Sequence, residues 1–256
     1  MNWDPAQYLR FGSERLRPAL DLLARVSAEA PKFVIDLGCG AGNITALLAA
    51  RWPGAKIIGI DGSAEMLARA RGAAPGCSFV QADIATFVPE RAPDVIFSNA
   101  ALQWLPDHRR LLPRLLSFVA PGGVLAVQMP AMEGAPFRKL QEELAREGPW
   151  IERLAHIARV LPILAPAEYW DLLKPLAGTL ELWETIYLHA LKGPDAVLHW
   201  AMGTSLRPYL DALAEPERAE FQAAYAAALR PHYPPQPDGT TLFPFRRLFL
   251  LATAPG

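Results

Sequence analysis

Cysteine is scarce in this sequence. Cys39 and Cys77 are the two thiols among 256 residues, too few for a disulfide framework or a four-thiolate zinc site. A dominant charge is missing as well. Lys+Arg 25 against Asp+Glu 26 leaves a formal net charge of −1 and a pI near 6.5. That balance excludes a basic footprint for a nucleic-acid backbone and a polybasic membrane anchor. No apolar run approaches the roughly 18 residues needed to cross a bilayer. Met1-Asn2-Trp3-Asp4-Pro5 lacks a charged head followed by an apolar stretch, so no secretory leader is expected and the expected compartment is the cytoplasm. Internal repeats and low-complexity tracts are lacking too. What remains is a chain 52% hydrophobic and 20% charged, able to bury a sizeable core and unlike a disordered one. At about 150 residues per domain, the length suits one large domain or one domain with a cap.

Proline, by contrast, is abundant: 25 of 256 residues, roughly twice average usage. Ten prolines fall before residue 128 and fifteen after it. Each removes a backbone donor from a helix or strand interior, so the regular sheet belongs in the first half. Residues 33–129 do alternate. Apolar runs at 33–36, 56–60, 77–81, 94–97 and 124–129 read as strands, and 44–51, 64–71 and 111–119 read as helices. This is the pattern of a mostly parallel sheet covered by helices on both faces. A helix over 5–26 precedes it. Beyond it come a helix at 136–146, an imperfectly alternating strand at 179–188, helical residues at 195–229 with a break at Pro208, and a last strand at 248–253. The expected organisation is a single domain with a helical cap at 1–30, a core at 31–130, and a helical insert with the final strands at 131–256.

The sharpest local signal is Asp36-Leu37-Gly38-Cys39-Gly40-Ala41-Gly42-Asn43 at the end of the first strand. Alternate glycines permit a tight turn whose backbone can approach a ligand closely. Asp61 follows Gly38 by 23 residues and ends the second strand, where an acid can accept hydrogen bonds from two ribose hydroxyls. Dinucleotides and S-adenosylmethionine compete for such a site. A dinucleotide loop wants a third small residue where Asn43 stands. Asp36, two residues before Gly38, would repel a pyrophosphate but would suit a cationic amino-acid end. The charge therefore favours S-adenosylmethionine; Asp36 could also hydrogen-bond the glycine loop structurally, and both roles can hold together. Asp83, after the third strand, could accept from an adenine amino group with Ile84 packed on the ring, or could cap its own turn.

These motifs resemble the class I S-adenosylmethionine-dependent methyltransferases: Asp36 to Gly42, then Gly59-Ile60-Asp61-Gly62-Ser63, Ala82-Asp83-Ile84, and Pro121-Gly122-Gly123 before strand five. The resemblance implies a Rossmann-like α/β fold with a seven-stranded sheet and an antiparallel last strand. It also implies cofactor at the carboxyl edge, with Asp36, Gly38, Gly40, Asp61, Gly62, Asp83, Ile84 and Asn99 as its ligands.

A closer resemblance, to the trans-aconitate methyltransferase family, extends beyond that core. It lies in Trp3-Asp4-Pro5 to Arg17-Pro18, Leu102-Gln103-Trp104-Leu105-Pro106-Asp107-His108, Gln128-Met129-Pro130, Gly203-Thr204-Ser205-Leu206-Arg207-Pro208-Tyr209 and Arg247-Leu248-Phe249. The acceptor it implies is a small polycarboxylate. A carboxylate is already ionised at pH 7, so no general base is needed and no catalytic residue is assigned. Ser98-Asn99-Ala100-Ala101 lacks the paired prolines of enzymes that methylate base amino groups. No cluster of His, Cys and carboxylates suggests a metal; His108, His156, His189, His199 and His232 are scattered.

A polyanionic acceptor needs fixed cations, and arginine holds carboxylates bidentately. Arg207 precedes a proline in what reads as an extended link, and Arg246 and Arg247 open the last strand with side chains facing opposite ways. Arg15 and Arg17 lie on the first helix. A solvated arginine is the plain alternative for each, and the resemblance favours Arg207 and Arg247 as acceptor ligands. Tyr8, Trp104 and Tyr209 read as core or lid aromatics on the acceptor side. A related methyltransferase acting on another small carboxylic acid or another small metabolite, and an idle S-adenosylmethionine-binding regulator, remain the alternatives.

Overall fold

A computed structural model describes residues 16–154, 156–157, 163–203 and 205–256. The early strands form because their apolar runs can be buried on both faces. β1 (Phe33–Leu37) is buried at every position, as are the first four residues of β4 (Val95–Asn99) and the first six of β5 (Val124–Pro130). Such continuous burial is characteristic of parallel strands covered on both sides. β2 (Lys56–Asp61) and β3 (Ser78–Gln81) complete the parallel set, and β7 (Thr240–Thr253) lies antiparallel to β5. With β6 (Thr179–Lys192) at the edge, the strand order is β3-β2-β1-β4-β5-β7-β6. The order reverses between β1 and β4, which is where open sheets of this kind bind ligands.

Helices α1 (Arg17–Arg25), α2 (Asn43–Arg51), α3 (Ala64–Ala73) and α4 (His108–Phe118) accompany this sheet. α3 begins where the Ser63 hydroxyl accepts from the Met66 N–H, a side-chain cap that satisfies one otherwise orphaned donor. α4 is tied to α7 (Pro166–Leu173) through His108. One ring nitrogen of His108 pairs with the Tyr169 hydroxyl, and the other lies 2.8 Å from the Leu102 carbonyl. Burial, the main influence, pushes the His108 pKa below its ordinary value. Both ring nitrogens are thus engaged in contacts that hold α4 in place.

The chain divides into two compact units: Met1–Pro130 with Ile163–Thr185 and Arg247–Gly256, and Ala131–Pro162 with Ile186–Arg246. The second contains α5 (Pro136–Glu147), α6 (Ile151–Leu154), α8 (Ala196–Met202), α9 (Arg207–Asp211) and α10 (Glu217–Leu229). They enclose an aromatic core that includes Phe137, Trp150, Phe221, Tyr225 and Phe243. Inside it, the Gln141 amide donates to Ser205 at 2.9 Å and to Tyr225 at 3.0 Å.

Two expectations need correction. The last strand begins at Thr240, not at 248, because Pro244 sits at an exposed position of an alternating segment where its missing donor is tolerated. Arg207 is not in an extended link. It opens α9 with Pro208 in the first turn, where an absent N–H costs nothing and the fixed φ is already helical.

Gly42 generates the prediction for the fold. Its φ is +84°, and a Cβ there would lie 2.8 Å from the Ala70 Cα. Gly42→Ala must pay for a left-handed backbone, about 1–2 kcal/mol, and also push α3 away. Urea denaturation should show a loss of at least that size.

Candidate functional site

The loop after β1 is fixed by backbone geometry. The Gly38 and Cys39 N–H groups both donate to the Ile60 carbonyl, at 2.8 and 3.0 Å, and Gly42 N–H donates to Cys39 O at 3.0 Å. Gly38 has φ +74°, and a Cβ there would come within 2.2 Å of the Ala101 Cβ, so only glycine fits. Gly40 also has a left-handed φ, yet nothing lies within 4 Å of where its Cβ would be, and the same open space exists at Gly62. Between these two bare stretches sits the half-buried Asp61. Its Oδ2 accepts from Gly40 N–H and its Oδ1 from Ser63 N–H, both at 2.9 Å. Each carboxylate oxygen keeps a further lone pair. This arrangement can take a vicinal diol.

Asp36 behaves differently. It is 1% exposed and accepts from the Thr45 hydroxyl at 2.6 Å, which ties β1 to α2. Burial raises its pKa from 3.8 to about 7, the Thr45 hydrogen bond opposes that rise, and the nearby Asp61 adds to it. The structural partner of Asp36 is thus Thr45 on α2 rather than the glycine loop. Asp83 is exposed, and its Oδ1 accepts from Ala85 N–H at 2.8 Å, the turn-capping geometry. Ile84 lies beside the loop, its Cδ1 3.6 Å from where a Gly38 Cβ would be.

The sheet register gathers a second group. Asp36 pairs with Phe97, Asn99 with Gln128, Gln128 with Phe249, and Pro130 with Arg247. Side chains of register partners, and of residues two apart, share a face. Asp36, Asn99, Gln128 and Arg247 therefore line one face, the last three toward the carboxyl ends of β4 and β5. Arg247 is 6% exposed. Its neighbour Arg246 donates through Nε to the Ala131 carbonyl at 2.9 Å. Asn99 Oδ1 is buried without a hydrogen-bond partner, as are Gln103 Oε1 and both amide atoms of Gln128. Thr45, Gln103 and Gln128 were not singled out in the sequence. The available signal for Gln128 was a lone polar side chain inside an otherwise apolar strand.

The remaining candidates belong to different elements. Trp104 is 55% exposed. Arg17 is exposed at the start of α1. In the second unit, the Arg207 side chain is 74% exposed, with Asp211 at 3.6 Å, and Tyr209 stacks on Phe221. Tyr8 and Arg15 lie outside the described residues. Among the described residues, no group of three or more His, Cys, Asp or Glu could hold a metal ion, and no helix is long and apolar enough to cross a membrane.

Sheet order, glycine loop and the acid ending β2 together define the class I methyltransferase fold. The methyltransferase domain family matches residues 34–123. YcgJ of Bacillus subtilis superposes with a TM-score of 0.60 at 13% identity, over 93% of this chain and 97% of that one. Phosphoethanolamine N-methyltransferase 2 of Haemonchus contortus, solved with phosphomonomethylethanolamine and S-adenosylhomocysteine, gives 0.57 at 16%, over 93% and 52%. Those likenesses show the fold. Sequence goes further: the chain is 51% identical over 250 residues to a trans-aconitate 2-methyltransferase of Azoarcus sp., spanning 98% of each. It is 52% identical over 252 residues to one of Methylobacterium nodulans, again 98% of each. The chain belongs to the trans-aconitate 2-methyltransferase family.

Asp36 gives this site a pH signature. A carboxyl whose folded pKa exceeds its unfolded value contributes stability below the unfolded pKa and loses it as pH rises through the folded one. Unfolding free energy should therefore fall between about pH 4 and pH 7. Asp36→Asn should flatten that slope in urea melts taken across this range.

Proposed function

We propose that this protein is an S-adenosylmethionine-dependent O-methyltransferase that esterifies one carboxylate of trans-aconitate to its monomethyl ester. The observation that carries this reading is identity of about half over 98% of both chains with trans-aconitate 2-methyltransferases. The likeness thus extends well past the cofactor motifs. Resemblance across both compact units weighs against an idle binder.

The residues fit the cofactor on their own chemistry. Asp61 has spare lone pairs for ribose hydroxyls, between backbone left open at Gly40 and Gly62. Ile84 lies beside the loop, where it can pack on the adenine with Asp83 next to it in the chain to accept from the amino group, and Gly38 lets the turn close. Asn99 Oδ1, buried and unpartnered, accepts from the ammonium of the amino-acid end. Asp36 acts beneath the loop, and a cation placed above it favours its ionised form. S-adenosylmethionine supplies the methyl group on a sulfonium leaving group. The acceptor carboxylate, with a pKa near ~4, is already the nucleophile, so the protein has to align it and exclude water rather than move a proton. Arg247, buried on the same sheet face as Asn99, supplies the cation for the acceptor. A small, charged, water-soluble substrate suits a cytoplasmic setting.

Asp61→Ala should weaken S-adenosylhomocysteine binding. A hydrogen bond to a charged group contributes about 1.5–3 kcal/mol, or roughly 10- to 150-fold. Unchanged affinity by calorimetric titration in a folded variant would remove Asp61 from the cofactor site. Arg247→Ala should cut acceptor kcat/KM by roughly 30-fold or more while sparing cofactor affinity, and Arg247→Lys should recover part of the loss. The activity itself is tested with labelled cofactor and a panel of di- and tricarboxylates. Base-labile label on trans-aconitate is expected, and none on any polycarboxylate would overturn the acceptor class.

A further inference from the structure

Gln128 is fully buried on β5, and neither end of its side-chain amide has a hydrogen-bond partner. A buried amide in that state forfeits its hydration with nothing in return. Exchanging its oxygen and nitrogen changes nothing, because both atoms are orphaned. The backbone around it is satisfied, since its carbonyl accepts from Ala100 N–H at 2.9 Å. The vacancy is confined to the side chain, and it lies in register with Asn99, whose Oδ1 is also buried without a partner.

Its position favours the acceptor over the cofactor. The nucleoside-type groups, Asp61 and Asp83, belong to the β1–β3 half of the sheet. Gln128 is two strands beyond β1 on the other side of the switch point, roughly 10 Å away at the usual strand spacing. It stands one strand from Asn99 and one rung from Arg247 on the same face. Its NH2 offers two donors to carboxylate oxygens, and its oxygen can accept from a guanidinium or a water.

We propose that Gln128 is an acceptor-recognition residue whose side-chain NH2 donates to a non-reacting carboxylate of the substrate, beside Arg247. This rests on the polycarboxylate reading above. It assigns a specificity role: an acceptor with a second carboxylate gains from Gln128, and a monocarboxylate gains little.

The test compares wild type, Gln128→Met and Gln128→Glu. Methionine keeps the shape without the donors, and glutamate places an acceptor and a negative charge there. Gln128→Met should raise the KM for trans-aconitate by roughly 10- to 100-fold, as loss of a hydrogen bond to a charged group does. It should leave S-adenosylhomocysteine affinity unchanged and thermal stability equal or higher. Gln128→Glu should be worse than Gln128→Met for the tricarboxylate, and the gap should narrow for monocarboxylates. If Gln128→Met keeps the wild-type KM, or if its only effect is on melting temperature, the residue merely holds a structural water and the proposal is wrong. Should the variants not fold, the wild-type complex with S-adenosylhomocysteine decides. Adding trans-aconitate must shift the Gln128 side-chain NH2 resonances, and unmoved resonances at saturating acceptor overturn the proposal. Wild-type enzyme that methylates no polycarboxylate would instead overturn the acceptor class, a separate outcome.

Discussion

The Ile60 carbonyl accepts two consecutive N–H groups, from Gly38 and Cys39, and the rest of the site depends on that double hydrogen bond. It folds the chain back over the end of β2 directly after β1. Gly40 N–H is thereby carried to Asp61, and α2 starts where Thr45 can reach Asp36. The turn closes only because Gly38 has no Cβ to strike Ala101 and Gly42 none to strike Ala70. Loop, acid and helix are one unit of construction. A substitution in any of them alters the others.

The register of the mixed sheet then performs a second task. It aligns side chains from four strands on one face without requiring them to touch in sequence. Asp36, Asn99, Gln128 and Arg247 come from β1, β4, β5 and β7, and pairing alone brings them into line. Loops vary easily, but a residue in the interior of a paired strand has little freedom of direction. Polar groups that must meet a ligand accurately are well placed there.

Much of this was legible in the sequence where physical signals are local. Buried parallel strands read as continuous apolar runs, so Val34-Ile35, Ile57-Ile58 and Val95-Ile96-Phe97 announced themselves. The glycine spacing and Asp61 did the same for the loop. The misreadings also had local causes. Pro244 hid the first half of β7, because an exposed position of an alternating strand tolerates its missing donor. Pro208 read as a break, yet proline in the first turn begins a helix as readily as it ends one. The burial of Asp36 was out of reach, since only the contact with Thr45 shows which way the carboxyl points. Gln128 was passed over inside a strand whose other residues are apolar, although a polar residue in that position is the informative one.

Burial also answers an electrostatic difficulty. Asp36, Asp61 and Asp83 would together present three negative charges to a region that must admit a polyanion. Burial, however, raises the Asp36 carboxyl from 3.8 to about 7, so without a cation above it a substantial fraction carries no charge near neutral pH, and with one its negative charge is matched there. Asp61 spends its charge on the Gly40 and Ser63 amides, and Asp83 is exposed and screened by water. The negative field reaching the β4–β7 half of the sheet is therefore weaker than the residue count implies. Arg247 is buried on that half, where low polarisability makes a single charge count for more. The sheet thus carries Asp36 and Asp61 on β1 and β2 and the buried Arg247 on β7, across the switch point.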